Sequence, residues 1–116
     1  MDLILERDPE GHLSCTLVDR DETATIVAPA ALEAAADLEA AVADARESGY
    51  GECVWPLTDG EYKWLFRRSA DRTDIVVLWS GGVVTGWQHV FRSEADAADL
   101  ERRVAEEVAR VRQGRL

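Results

Sequence analysis

Along most of this chain of 116 residues, apolar and polar positions alternate in short runs, and twice the period lengthens to that of a helix. Leu3 and Leu5, then Leu13, Cys15 and Leu17, recur at period 2 and predict two short strands. Between them Asp8-Pro9-Glu10-Gly11 fits a type I turn, with aspartate first, proline second and glycine fourth. Asp19-Arg20-Asp21-Glu22 is a polar break. Thr23 to Ala28 is β-branched enough for a third strand, although its apolar face of Ala24, Ile26 and Ala28 is thin. From Pro29, suited to a first helical position, to about Glu47, the residues Leu32, Ala35, Leu38, Val42 and Ala45 recur at three-to-four spacing. Gly49 stands just beyond this helix, where φ is often positive. The stripe is rich in alanine, so the helix can approach a sheet closely.

The second section repeats the pattern with larger residues. Cys53, Trp55 and Leu57 alternate, Thr58-Asp59-Gly60-Glu61 carries an Asp-Gly hairpin signal, and Tyr62, Trp64 and Phe66 alternate again. Centring the loop on Asp59-Gly60 sets Trp55 opposite Trp64, Cys53 opposite Phe66 and Glu52 opposite Arg67, so aromatics and opposite charges pair in one register. Pro56 lacks an N–H, which favours a four-residue loop from Thr58 to Glu61 over a two-residue one. After Ser69-Ala70-Asp71, the run Arg72 to Trp79 is apolar on both faces and reads as a central strand. Ser80-Gly81-Gly82 ends it. Val83 to Arg92 is a further strand, with a kink expected at Gly86. Ser93 is placed to cap a last helix, whose stripe is Leu100, Val104, Val108 and Val111, with Glu106 and Arg110 as an i,i+4 pair. Gly114 closes it.

The fold expected is α+β with mostly antiparallel sheet, in the order β-β-β-α-β-β-β-β-α, and with the helices packed on one face. Residues 1–116 read as a single domain of two sections, 1–49 and 50–116. The pattern leaves open whether the strands form one sheet or two.

Composition narrows the functional classes. Residues 1–60 hold 14 acids against 3 arginines, a net charge of −11, whereas residues 61–116 are near neutral at +1. An acidic half of this size argues against nucleic acid, whose binding needs a basic footprint, and fits a protein partner with a basic surface. Docking of the acidic half of one chain on the Arg-bearing half of another would instead give a homo-oligomer. The N-terminus has neither a basic region nor a long apolar run, and no stretch reaches membrane-spanning length, so no membrane association and a cytoplasmic location are expected. Twelve arginines against one lysine, with many alanines, point to a GC-rich bacterial source.

Candidate chemistry is sparse. Cys15 and Cys53 sit in alternating apolar patterns and read as buried thiols. His12 reads as solvated, Asp19, Asp21 and Glu22 lack the spacing of a cation loop, and no metal or cofactor is expected. None of the nucleotide-binding, nucleophile-elbow or metalloprotease motifs occurs. Two constellations remain. Trp64, Trp79, Trp87 and His89 would line a ligand pocket if the aromatic face leaves one; alternation puts His89 on the side of Trp87 and Phe91. Lys63, Arg67, Arg72 and Arg92 fall on the opposite face with Leu65, Val76, Leu78 and Val90. There they form either a rim around a helix-covered centre, which is the commoner arrangement, or a partly exposed groove for an acidic ligand, of the kind common at interfaces. The leading expectation is a non-enzymatic protein-binding module. The alternative is a small-ligand binding protein or enzyme that uses the Trp/His pocket.

Overall fold

The computed structural model describes residues 1–82 and 84–114. Val83, the first residue of the last predicted strand, lies outside them. The elements are β1 (Asp2–Arg7), β2 (Leu13–Asp19), β3 (Glu22–Ala28), α1 (Ala31–Ser48), β4 (Tyr50–Leu57), β5 (Gly60–Ser69), β6 (Arg72–Gly81), β7 (Val84–Asp96) and α2 (Ala97–Arg112). The predicted order is the observed one. The strands form two antiparallel sheets, β1-β2-β3 and β4-β5-β6-β7, so β6 is internal as expected. Helix α1 packs on β4, β5 and α2, and α2 also packs on β1. One apolar core joins Leu3, Leu5, Leu13 and Leu17 of the first sheet to Trp55, Trp64, Phe66 and Phe91 of the second and to the stripes of both helices. Among the described residues no helix is long and apolar enough to cross a membrane.

Helix α1 lies almost at backbone contact with β4. A Cβ on Gly51 would stand 1.9 Å from the Ala41 carbonyl oxygen, so only glycine fits opposite that turn of helix. The small side chains Ala34, Ala35, Ala41 and Ala45 flank Leu38 and Val42 on the buried face. The helix starts two residues later than Pro29: Ala30 is its N-cap without a side-chain bond, and the Ala31 N–H donates to the Gly11 carbonyl at 2.9 Å. Leu32, expected in the stripe, is 49% exposed.

The hairpin register differs from the predicted one by two residues. Leu57 pairs with Gly60, Trp55 with Tyr62 and Cys53 with Trp64, so the loop is Thr58-Asp59 alone. A shift of two preserves faces, which is why Trp55 and Trp64 stay neighbours, with ring centroids 5.2 Å apart, although they are diagonal and not opposite. Gly60 explains the error. It serves close approach and not a left-handed turn: a Cβ there would lie 2.6 Å from the Trp79 ring and 2.5 Å from the Ser80 carbonyl oxygen. Pro56, opposite Glu61, sits one step from the loop-closing pair on an outer strand. Its nitrogen there points away from β5, so the missing N–H costs no ladder bond.

The start of α2 also moves. Pairing of β7 with β6 continues to Asp96 opposite Arg72, and Asp96 caps the helix by accepting the Asp99 N–H at 3.1 Å. Ser93 stays in the strand, and its buried hydroxyl donates to Asp19 Oδ2 at 2.7 Å. The stripe of Leu100, Val104, Val108 and Val111 is buried as expected. The predicted Glu106–Arg110 pair is replaced: Glu106 meets Arg102 at 3.4 Å, and Arg110 meets Glu107 at 2.8 Å. This second pair clamps the outer strand β1. Glu107 accepts the Leu5 N–H at 2.9 Å, and Arg110 donates to the Leu5 carbonyl. Side chains thereby replace a missing neighbour strand and block pairing at that edge.

Candidate functional site

The two faces of the four-stranded sheet have opposite fates. On one, Trp55, Trp64, Phe66, Ile75, Val77 and Phe91 are all 0% exposed beneath the helices and the first sheet. The indole of Trp55 donates to the Ala34 carbonyl at 3.1 Å, whereas the buried Trp64 Nε1 has no hydrogen-bond partner among the described residues. On the other face, Val54, Leu65, Val76 and Leu78 are only half-buried and are not packed against the core. Among the described residues no helix covers them. The cations are therefore not a rim around a docked helix.

One residue decides what this open face carries. The ladder between β6 and β7 pairs Val77 with Phe91 and then Leu78 with His89, leaving Val90 as a bulge. A bulge reverses the alternation beyond it. Phe91 therefore stays in the core and Val90 packs against it, while His89 and Trp87 emerge on the open side. Gly86, the expected kink, has φ +85° and lies in a second irregularity of the same ladder.

The predicted site residues sort accordingly. Trp64 is in the core, and Trp79 lies on the core side with its ring 4.8 Å from that of Tyr62. Trp87, 45% exposed, and His89 are on the opposite face, so the four do not line one pocket. By register Lys63, Arg67, Arg72 and Arg92 all fall on the open face, spread along it. The Lys63 ammonium lies 5.2 Å from the Trp87 ring centroid and 3.3 Å from Glu52, and Arg72 is 2.8 Å from Glu94. Pairs this exposed are worth little and are screened by salt, so a partner can exchange them for its own charges.

A second feature was not visible in the sequence. A partly open cleft of about 550 Å³ lies at one end of the first sheet, between the β1–β2 turn, the end of β3 and the β4–β5 turn. The turn is held by Asp8, whose Oδ1 accepts the N–H groups of Glu10 and His12, both at 2.9 Å. His12 Nδ1 stands 3.3 Å from Asp8 Oδ2 and 3.7 Å from Glu10 Oε2. The Asp8 carboxyl is held below the usual carboxylate range, chiefly by the His12 N–H. Asp8, Glu10 and His12 bring potential ligand atoms within 4.8 Å of one another, but all three are exposed and their contacts are accounted for by the turn.

Neither thiol is poised as a nucleophile. Burial pushes Cys53 up to about 12, helped by the charges of Asp37 and Glu52, and burial raises Cys15 further. Comparison with protein-family models, curated proteins and solved structures gave no match.

Proposed function

We propose that this chain is a non-enzymatic protein-binding module that docks its partner on the open face of the four-stranded sheet. The observation that carries the reading is that uncovered face, a strip of Val54, Leu65, Val76 and Leu78 beside the exposed Trp87 and ringed by charged residues. Interfaces combine such an apolar centre with a polar rim, and Trp and Arg dominate their energetics. On the face itself Lys63, Arg67, Arg72 and Arg92 are balanced by Glu52, Glu61, Asp74 and Glu94, so it is the chain's net charge of −10 that favours a protein partner with a basic surface, because complementary fields speed encounter and reject wrong partners. The same charge disfavours nucleic acid. A bacterial cytoplasmic setting completes the proposal, and a second copy of the chain is the competing partner.

The test is affinity capture from a native lysate of the source cells, with the wild-type chain and a Leu65→Glu/Trp87→Ser variant side by side. A basic protein retained by the wild type, released by salt and absent from the variant supports the reading. Equal capture by both, or no capture with the wild type monomeric in sedimentation, overturns it.

A further inference from the structure

We propose that the cleft at the end of the first sheet is a binding site for a small organic cation, an apolar body bearing an amine. Its volume of about 550 Å³ lies within the range of small-molecule sites, and apolar walls with a few polar groups are their usual make-up. Val27 and Leu57 supply apolar surface over the buried Leu13 and Ala28, and Pro9 and Pro29 make two of its walls rigid.

The charges around it select the ligand's sign. Glu6 and Asp8 line the cleft; Asp8 also holds the β1–β2 turn through Oδ1, so Glu6 is the carboxylate not committed to the turn. Arg7, the one arginine of the lining, directs Nη1 to the Val111 carbonyl at 3.5 Å, and His12 turns Nδ1 toward Asp8 and Glu10. Carboxylate is thus in excess at the mouth, within the field of a chain of net charge −10. A cation is attracted and an anion repelled. The site is independent of the open sheet face, because it is built from the turns, the first sheet and Leu57, which lies on the covered side of β4 with Trp55.

The experiment titrates the full chain with phenethylamine, 2-phenylethanol and phenylacetate, which share a body and differ in charge, and follows backbone amide shifts by NMR. The amine should move the amides of Leu13, Val27, Ala28 and Thr58 saturably, with a dissociation constant on the order of 1 mM for so small a probe. The alcohol should bind more weakly and the carboxylate not at all. Glu6→Gln/Asp8→Asn, in which the asparagine oxygen can still accept the turn N–H groups, should weaken the amine by about tenfold. Val27→Trp, at a position 42% exposed and so tolerant of bulk, should abolish binding by filling the cleft. Phenylacetate binding as well as phenethylamine, unsaturable shifts, or full binding by the Val27→Trp protein would overturn the assignment.

Discussion

The two faces of the four-stranded sheet are built from alternate residues of the same strands, yet one is solid core and the other bare. The covered face carries the aromatics, glycine at the closest helix approach and an indole bonded to a helix carbonyl. The open face carries β-branched and aliphatic residues, four cations and one exposed tryptophan. A charged rim thus forms without a helix inside it. What separates the faces is packing depth: an alanine stripe and Gly51 let α1 descend on the first, whereas Lys63, Arg67 and Arg92 project from the second.

That comparison is broken most severely at Gly51. Gly51→Ala places a methyl 1.9 Å from the Ala41 carbonyl oxygen, and the helix must lift. A loss of about 3 kcal/mol or more in urea unfolding is expected, at the upper end of overpacking costs. A smaller effect distinguishes two tryptophans of equal burial. Trp55→Phe forfeits the bond to Ala34, while Trp64→Phe removes an indole N–H that has no partner among the described residues. Trp55→Phe should therefore cost about 1 kcal/mol more than Trp64→Phe; the reverse order would contradict the assigned bonds.

Glu107 tests how the first sheet is held. Desolvation, the largest single influence, pushes its carboxyl up, but the Arg110 hydrogen bond, the Leu5 N–H and the charges of Arg110 and Arg103 outweigh it, so it titrates below the usual 4.5. With the folded value depressed, the stabilisation is complete above 4.5 and is lost as pH falls through the folded value. Glu107→Ala should cost about 1–2 kcal/mol at neutral pH, and its deficit against wild type should shrink in acid. The smallest effect is expected at Trp87. Trp87→Ser should change stability by no more than about 0.5 kcal/mol, although it removes the largest exposed ring of the open face.

Much of the fold was legible from the chain. Alternation, β-branched content in β3 and a continuous apolar run in β6 located the seven strands of the described residues, three-to-four spacing located both helices, and Gly49 marked the end of α1 with φ +87°. The misplacements are local and share a cause, since each turns on a contact distant in sequence. Gly60 suggested a left-handed turn but answers the ring of Trp79. Ser93 suggested a cap but is bonded to Asp19, 74 residues away. For the candidate surfaces, alternation assigned the four cations to the face on which the register has them, but it put His89 on the wrong face, because the Val90 bulge leaves no mark in composition. The cleft depends on two turns from different sheets meeting, which periodicity within one strand does not encode.

The central claim, that the open face is the docking surface, is tested most directly by an NMR footprint of the complex with the captured partner. Shifts and line broadening are expected at Leu65, Val76, Leu78 and Trp87, with α1 unaffected. Perturbation confined to the exposed acidic residues Glu33, Asp37, Asp44 and Glu47 of α1, with the sheet face unmoved, would contradict it.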